Sequence, residues 1–217
     1  AGLATAPLPS RFGRVTLIVA GVVTAVALAG WWRATRPIEQ PLKPLVRLDV
    51  DLGSDVSLGL GTFSGRDAIL SPDGTRLAYA SRERLFIRRL DQPKPTELAG
   101  TEGAVEPFFS PDGLWVAFYA QGKLKKISVE GGAAVVLCDT QGASGGSWGE
   151  DGNIIASLTN TGALLRIPSA GGAPTPVIEL AQGERTQRYP QILPGGKAVL
   201  FTSNAAGRRF DQASIEV

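Results

Sequence analysis

Histidine is absent from this 217-residue sequence, and Cys138 is its single cysteine. Without a second cysteine no internal disulfide can form. Without histidine the chain has neither a Cys/His zinc site nor a nucleophile paired with a histidine base. We predict that Cys138 is a small buried residue. Methionine is absent too and the first residue is Ala1, so we expect the chain to be a piece of a longer protein.

Acidic residues are absent from the first 36 positions, where Arg11, Arg14, Arg33 and Arg36 supply positive charge. The formal net charge of +2 is therefore local, because the remainder holds 18 basic and 20 acidic residues. A nucleic-acid surface needs a concentrated basic face. Alternating charges on solvated outer strands explain the nearest candidates better, so no nucleic-acid partner is predicted. Those candidates are Arg82, Arg84, Arg88, Arg89, Lys123, Lys125 and Lys126.

A long uncharged run extends from Val15 to Trp32. At about 1.5 Å per residue, a helix of this length spans about 27 Å, which is enough for the hydrocarbon core of a bilayer. Trp31 and Trp32 suit a membrane interface, and arginines bracket the run. We predict a transmembrane helix over 15–32, preceded by an N-terminal tail (1–14) and followed by a proline-bearing linker (33–44).

Two alternatives compete with the membrane anchor. One is a helix buried in a protein core, which rarely lacks a polar face over five turns. The other is a cleaved secretory signal with its small-residue site at Ala27-Leu-Ala29. The flanking charges do not fix the orientation. Both the signal and the anchor readings nevertheless place the C-terminal region outside the cytoplasm.

The rest of the chain, 45–217, is a repeat. Turn glycines at Gly74, Gly113, Gly152 and Gly196 are separated by 39, 39 and 44 residues. A period near 40 is that of a four-stranded propeller blade. A second marker keeps the same step, because Asp91, Gly131 and Gly171 lie 40 residues apart. The repeated unit is therefore a whole blade and not a chance recurrence of Asp-Gly.

The repeat predicts an all-β fold, a partial β-propeller with three complete four-stranded blades and an incomplete fourth, truncated at the C-terminus. Leu45 to Leu52 alternates apolar and charged residues and is predicted to be a closing strand. We expect the soluble part to aggregate or to form a partly open arc. The predicted strands are 67–70, 77–81, 84–90 and 96–98; 105–109, 114–120, 123–129 and 134–137; 146–148, 154–158, 163–168 and 174–178; and 189–193, 197–202 and 213–217.

Three segments imitate functional motifs. Gly59-Leu-Gly-Thr-Phe-Ser64 is half of a kinase glycine-rich loop, but the other kinase motifs are missing from this chain. Gly142-Ala-Ser-Gly-Gly146 fits the nucleophile-elbow pattern, but it precedes a predicted strand and has no histidine base. Asp73, Asp112 and Asp151 recur once per blade, so each is predicted to cap its own turn and not to bind calcium. No catalytic residue, metal ligand or cofactor-binding residue is predicted.

The copies Ser71-Pro-Asp-Gly74 and Ser110-Pro-Asp-Gly113 resemble the propeller repeats of the TolB family of periplasmic proteins. A longer set of segments is similar to the C-terminal propeller of bacterial transmembrane serine/threonine protein kinases. That resemblance implies a cytoplasmic kinase domain, one helix through a bacterial inner membrane and a propeller on the periplasmic, extracytoplasmic side, although this chain lacks the kinase domain. The segments are Gly100-Thr-Glu-Gly-Ala104, Pro107-Phe-Phe-Ser-Pro-Asp-Gly113, Gly122-Lys-Leu-Lys-Lys126, Gly146-Ser-Trp-Gly149 and Leu193-Pro-Gly-Gly196.

Two functions remain open at this point. The first is a non-catalytic sensory or interaction propeller, tethered by the membrane helix, whose loops bind a protein, peptide or envelope ligand. The second is the accessory propeller of a prolyl-oligopeptidase-like serine hydrolase. A free-standing TolB-like scaffold would remain if neither a kinase nor a hydrolase accompanies the propeller.

Overall fold

The structure, a computed structural model, describes residues 67–205 and 212–217, and before them only 21, 24, 25, 27, 28, 30–32, 50, 52, 56 and 58. The chain divides into two units, Ala1–Asp49 and Val50–Val217. The predicted tail (1–14) and linker (33–44) lie outside the described residues. So does the closing strand (45–52), except for Val50 and Leu52, which have no strand structure.

In the first unit, every described residue of the predicted membrane helix is helical and exposed. Within the part of the chain that the structure describes, no helix has the length and apolar character needed to cross a membrane. The membrane span over 15–32 therefore stays a prediction.

In the second unit, the described residues form fifteen strands in four antiparallel sheets, and we number these sheets blades 1 to 4. Blade 1 contains β1 (Ala68–Leu70), β2 (Arg76–Ser81), β3 (Arg84–Arg89) and β4 (Thr96–Glu97). Blade 2 contains β5 (Val105–Phe109), β6 (Trp115–Ala120), β7 (Lys123–Ser128) and β8 (Val135–Asp139). Blade 3 contains β9 (Gly146–Trp148), β10 (Asn153–Ala156), β11 (Leu165–Pro168) and β12 (Thr175–Pro176). Blade 4 contains β13 (Glu184–Ile192), β14 (Val199–Ala205) and β15 (Ser214–Glu216).

The predicted all-β fold of three four-stranded units and a three-stranded fourth is confirmed. The largest difference concerns β13, which was predicted over 189–193 but begins at Glu184. Residues 184–188 are charged or polar and show no apolar alternation, so the sequence gives no strand signal there. They become part of a strand because they pair with β14 and with a loop of blade 3.

The first hairpin of every blade closes with the same turn. Each turn glycine donates its N–H to the carbonyl three residues earlier, at 2.8 Å from Gly74 to Ser71 and at 2.9 Å from Gly113 to Ser110. Gly152 and Gly196 repeat the bond to Gly149 and Leu193. The φ angles of the four glycines lie between +69° and +77°, a region that favours residues without a Cβ atom. The recurring motif is therefore turn chemistry, as predicted.

The third turn is one residue shorter than the second. Ser110 N–H bonds to Trp115 at 2.9 Å, whereas Gly149 N–H bonds to Asn153 at 2.8 Å. Because side chains alternate along a strand, a missing residue sends every later side chain to the opposite face. Val116 and Ile155 are equivalent when counted from the turn glycine, but Val116 packs towards blade 1 and Ile155 towards blade 4.

Apolar cores hold consecutive blades together, and we name them joints 1/2, 2/3 and 3/4. Joint 1/2 is the largest of the three, and joint 3/4 is the smallest. The buried residues of joint 1/2 are Ala78, Ala80, Leu85, Ile87, Leu98, Ala104, Phe109, Val116, Phe118, Ala120, Ile127 and Val129. Those of joint 2/3 are Phe108, Ala117, Tyr119, Leu124, Leu137, Ile154, Ala156, Leu158 and Ile167. Those of joint 3/4 are Ile155, Leu164 and Phe201.

The topology gives the blades two different ends. The first strands β1, β5, β9 and β13 contact one another in order, so they form an inner row. In each antiparallel blade the first-to-second and third-to-fourth strand connections lie at one end, which we call the turn end. The second-to-third connections and the links between blades lie at the other, which we call the loop end.

Candidate functional site

The inner strands of three blades leave regular geometry at the same level, seven residues before the turn glycine. Glu106, Gly145 and Tyr189 occupy this position, with φ of +53°, +81° and +51°. At Glu106 and Tyr189 the strand pairing also shifts, which is the signature of a β-bulge. Bulges re-aim side chains and are frequent beside functional sites, and a positive φ at a residue with a side chain stores strain.

The positive-φ positions of blades 3 and 4, Gly145 and Tyr189, touch at the loop end. A Cβ atom added to Gly145 would lie 2.9 Å from the Cα atom of Tyr189. The N–H of Tyr189 donates to the carbonyl of Ser144 at 2.8 Å. This backbone hydrogen bond crosses from one blade to the next. Because the two backbones come so close and φ is positive at position 145, glycine is the residue that fits there.

Tyr119 connects blade 2 to the same place. Its hydroxyl lies 2.9 Å from the carbonyl oxygen of Gly145 and 3.1 Å from that of Ser157. The tyrosine is buried, and burial, reinforced by the negative charge of the buried Glu106, raises the pKa of its hydroxyl well above the usual value. The hydroxyl therefore stays protonated and serves as a donor.

Blade 3 carries a longer connection at the loop end than blades 1 and 2. Two residues join β2 to β3 and β6 to β7, whereas 157–164 separate β10 from β11. The loop is fixed on both sides. The carbonyl of Leu158 accepts from the N–H of Gln141 at 2.8 Å, and the N–H of Gly162 donates to Arg185 at 2.9 Å. Asn160 and Thr161 are left exposed at its tip.

A polar network holds the start of β13 beneath this loop. The buried Gln187 accepts from the N–H of Leu164 at 3.1 Å and donates to the Glu184 carboxylate at 3.1 Å. The same carboxylate accepts from the hydroxyl of Ser203 at 2.6 Å and from the N–H of Ala181 at 2.7 Å. Arg188 reaches the carbonyl of Asn160 at 2.5 Å. Blade 4 is thus joined to blade 3 by directional bonds.

We call this region the loop-end site and define it as Glu106, Tyr119, Gly145, 157–164 and 184–189. Its exposed groups include the amide of Asn160, the hydroxyl of Thr161 and the guanidinium of Arg185, on a backbone fixed by hydrogen bonds. Such groups suit recognition of a polar ligand surface by hydrogen bonding. The sequence predicted no residue here, although one signal was present: Glu106-Pro107 and Tyr189-Pro190 share the offset from the turn glycine with Gly145-Gly146.

The three recurring aspartates cap their own turns, as predicted. Asp73 accepts from the hydroxyl of Ser71 at 2.5 Å and the N–H of Thr75 at 3.0 Å, and Asp112 repeats both bonds in the second turn. Asp151 accepts from the side chain and the N–H of Asn153. The bond from Ser71 is the main reason why the pKa of Asp73 falls to about 2, and the pKa values of the other two are also lowered.

The other two motif-like segments have different outcomes. Gly142–Gly146 runs from the connection that precedes β9 into the first residue of that strand, not between a strand and a helix, and its Ser144 is buried. This placement is the one predicted from the sequence. Residues 59–64 lie outside the described part of the chain. Cys138, predicted to be buried, is only half-buried in the outer strand β8, and partial burial raises the pKa of its thiol.

The basic residues considered for nucleic-acid binding contact separate neighbours. Arg84 pairs with Glu97 at 2.5 Å, and Arg89 with Asp91 at 2.7 Å. Lys126 lies between two blades, 4.7 Å from the ring centre of Trp115 and 5.8 Å from that of Trp148. Lys123 forms an ion pair with Asp139, and Lys125 donates to Gln121. Arg88 is half-buried, and Arg82 lies in the β2–β3 turn.

Among the described residues, no three His, Cys, Asp or Glu side chains cluster closely enough to hold a metal ion. The acids of the loop-end site, Glu106 and Glu184, come from different blades. Glu184 is occupied by hydrogen-bond donors of the protein itself.

Comparisons with solved structures show a TolB-like, WD-repeat-like β-propeller fold, although no family model matches the sequence. The chain is similar to a putative TolB from Agrobacterium tumefaciens, with 20% identity, a TM-score of 0.55 and coverage of 69% of this chain and 59% of that one. A Myceliophthora thermophila Cps50 (Swd1) β-propeller domain matches with 14% identity, a TM-score of 0.52 and coverage of 65% and 50%. A puromycin hydrolase S511A mutant matches with 17% identity, a TM-score of 0.50 and coverage of 68% and 26%. The chain thus spans less than two thirds of each of these proteins.

Proposed function

We propose that this chain is a non-catalytic interaction propeller, tethered to a bacterial inner membrane by residues 15–32, with the propeller on the periplasmic side. Its ligand is a protein, peptide or envelope component that binds the loop-end site. The observation that carries the proposal is the positive φ angle that recurs at the same position of three blades, at Glu106, Gly145 and Tyr189. The turn end repeats one structural motif, whereas strain and irregular backbone are concentrated at the loop end, where binding residues are commonly found.

The effector that we propose is a serine/threonine protein kinase domain on the cytoplasmic side. The support is the order of the elements, an apolar run followed by a linker and a propeller, together with the resemblance of the repeats to those of transmembrane kinases. In this arrangement ligand binding changes the position or assembly of the propeller, and the membrane helix transmits that change. The chain itself supplies no step of phosphoryl transfer.

Photo-crosslinking in bacteria tests the binding face. A photoreactive amino acid replaces Asn160 at the tip of the loop-end site, and the control replaces Glu150, which is also exposed but lies at the turn end. We expect covalent adducts with an envelope component from position 160 and background from position 150. Adducts from both positions at equal yield, or from position 150 alone, would contradict the assignment.

The membrane anchor has an independent test. After alkaline carbonate extraction we expect the chain in the membrane pellet, and protease added outside spheroplasts should digest the propeller. Recovery in the supernatant would refute a spanning helix. A propeller protected until the spheroplasts are lysed would refute the periplasmic location.

The second candidate is the accessory propeller of a serine hydrolase, favoured by the structural similarity to puromycin hydrolase. It would control access to a catalytic domain outside this chain. Reading the parent gene in both directions separates the candidates. Kinase motifs upstream support the first proposal, and a serine-hydrolase domain downstream supports the second.

A further inference from the structure

Two arginines of β13 belong to the loop-end site, and they differ in what they contact. Arg188 is half-buried and bound to the protein itself, because its guanidinium donates to the carbonyl of Asn160 and, at 3.1 Å, to the hydroxyl of Thr186. Arg185 is exposed. Among the described residues, no carboxylate oxygen lies within 4.0 Å of the Arg185 guanidinium. One arginine therefore supports the site, and the other faces solvent.

The backbone places Arg185 next to the tip of the loop. Its carbonyl accepts from the N–H of Gly162 at 2.9 Å, and the carbonyl of Gly162 accepts from the N–H of Gln187 at 3.0 Å. These two bonds form a parallel bridge between the loop and β13. The exposed residues Asn160 and Thr161 come two residues and one residue before this bridge. Arg185 is therefore part of the same exposed surface as the loop tip.

The acids that precede Arg185 in the sequence do not neutralise it. The carboxylate of Glu184 accepts from three donors of the protein and is only half-exposed. Glu179 is exposed, but it lies before the turn that the N–H of Glu184 closes on the carbonyl of Ala181 at 3.0 Å. Within the loop-end site, Arg185 is the only charged residue that is exposed. The charge that the site presents to a ligand is therefore positive.

A single exposed guanidinium suits one carboxylate better than a polyanion. Its planar fork can donate two parallel hydrogen bonds to a carboxylate, whereas a phosphate-rich surface needs several basic groups. Leu180, which is 37% exposed in the link before β13, adds an apolar contact. The exposed amide of Asn160 and hydroxyl of Thr161 add hydrogen-bonding groups. Mixed apolar, polar and arginine contacts are typical of an interface with another protein.

We propose that Arg185 sets the specificity of the loop-end site by binding a carboxylate, and that the ligand is a protein segment with an exposed aspartate or glutamate. This inference rests on the proposed function, because it names the class of ligand for the same site. Arg188 is a positioning residue in this arrangement. Its bond to the carbonyl of Asn160 and the bridge at Gly162 hold the loop tip beside the start of β13.

Photo-crosslinking of the full chain from position 160 in bacteria tests the inference when position 185 is changed as well. Arg185→Glu should lower the yield of the adduct at least about tenfold, because it replaces an attractive charge pair with a repulsive one. Arg185→Lys keeps the charge but loses the planar fork, so its yield should be intermediate. The matched control is Arg82→Glu. Arg82 is an exposed arginine at the loop end of blade 1, outside the site, and its change should leave the yield as it was.

A charge swap identifies the carboxylate. Mass spectrometry of the adduct locates the crosslinked segment of the partner, and each aspartate and glutamate near the crosslink is then changed to arginine in turn. One of these changes should lower the yield with the unmodified chain and restore it with Arg185→Glu, because the charge pair is rebuilt with reversed polarity. A role of Arg185 in holding the fold of β13 would give no such rescue.

The inference is overturned, and the proposed function stands, if adducts from position 160 persist at full yield in Arg185→Glu, if Arg82→Glu lowers the yield as much, if no charge swap restores it, or if the adduct is a lipid or a glycan. Absence of adducts from the unmodified chain overturns both. Circular dichroism checks that each variant keeps its β-structure. Should Arg185→Glu fail to fold, Arg185→Gln replaces it and must lower the yield.

Discussion

Blades 1 and 2 are joined mainly by apolar side chains, whereas blades 3 and 4 are joined mainly by hydrogen bonds. Phe118 and Ile127 are buried against blade 1 within a core that runs the length of the sheet. Across joint 3/4 the apolar core is small, and the N–H groups of Leu164, Gln187 and Tyr189 donate to groups of the other blade. Apolar contact contributes more free energy, while hydrogen bonds contribute less but fix orientation.

The loop-end site lies at the joint that is held mainly by hydrogen bonds, joint 3/4. Buried polar groups that are fully bonded hold a backbone in one arrangement at a cost in stability, and functional regions are commonly drawn from the less stable part of a fold. The loop-end site lies on the polar joint, while joint 1/2 anchors the blades. We therefore expect binding to depend on joint 3/4 and global stability on joint 1/2.

The largest change in the free energy of unfolding is expected when two equivalent phenylalanines, Phe118 in joint 1/2 and Phe201 in joint 3/4, are replaced by alanine. Phe118→Ala should lower the free energy of unfolding by about 3–5 kcal/mol, because it opens a cavity in a closed core. Phe201→Ala, at the matching position of joint 3/4, should cost about 3 kcal/mol or less, because a smaller core collapses more easily. Urea unfolding followed by tryptophan fluorescence measures both.

Leu114→Ala is the control for this pair, since its side chain is exposed and its loss should change the free energy of unfolding by about 0.5 kcal/mol or less. A Phe201→Ala variant less stable than Phe118→Ala would reverse our ranking of the two joints.

A smaller change in the free energy of unfolding is expected when a side chain that accepts a backbone hydrogen bond is removed. Joints 1/2 and 3/4 each have such a side chain at a matching position. Thr101 accepts from the N–H of Leu85 at 3.0 Å, and Gln187 accepts from that of Leu164 at 3.1 Å. Thr101→Val and Gln187→Ala each leave a buried N–H without its acceptor, which costs about 1–3 kcal/mol. Hydrogen exchange should locate the loss, in β13 and β14 for Gln187→Ala and across blades 1 and 2 for Thr101→Val.

The hydrogen-exchange patterns of Gln187→Ala and Thr101→Val distinguish joint 3/4 from joint 1/2 better than the free energies of unfolding alone. If Gln187→Ala speeds exchange in blades 1 and 2 as much as in blade 4, the polar joint is not a separate unit of stability. The buried Ser203 offers a control within the network, because Ser203→Ala removes a donor to Glu184 but leaves the N–H of Leu164 bonded.

The sequence predicted the repeated turns and the strand order of the blades, but it did not predict the polar network that joins blades 3 and 4. The turns of Gly74 and Gly113 repeat a local pattern whose chemistry is complete within a few residues, so the strand order followed from spacing alone. The network of Gln187 joins residues from two blades, and β13 lacks apolar periodicity where it carries that network. Such contacts depend on how the blades meet, which a repeat period does not specify.

The middle joint should give an intermediate result. Tyr119→Phe removes the hydroxyl that bonds to the carbonyl of Gly145 but keeps the ring in the apolar core. We expect a loss of about 1 kcal/mol in the free energy of unfolding, the usual net value of one hydrogen bond. The measurement is the urea midpoint, with Tyr79→Phe in blade 1 as the matched control.

An effect larger than that of Gln187→Ala would mean that the backbone at Gly145 depends on blade 2 more than on blade 4. The loop-end site would then have its centre at joint 2/3.

The smallest effect concerns the turns, where blades 1 to 3 have an aspartate and blade 4 has Leu193-Pro-Gly-Gly196. The pKa of Asp73 is lowered from 3.8 to about 2 by hydrogen bonds that favour its charged form, the bond from Ser71 first. A carboxyl whose pKa is lower in the folded state stabilises the fold above its unfolded pKa, and this stabilisation is lost as the pH falls through the folded pKa. The melting temperature should therefore drop as the pH is lowered from about 4 to about 2.

Asp73→Asn tests the assignment, because an amide does not titrate in this range. The variant should melt below the unmodified chain at pH 5, and the difference should shrink as the pH approaches 2. Glu150→Gln, which changes an exposed acid beside the third turn, should leave the pH dependence as it was. Since the fourth turn closes its N–H bond at 2.9 Å without an aspartate, a difference that persists at pH 2 would show that Asp73 acts through turn geometry and not through its charge.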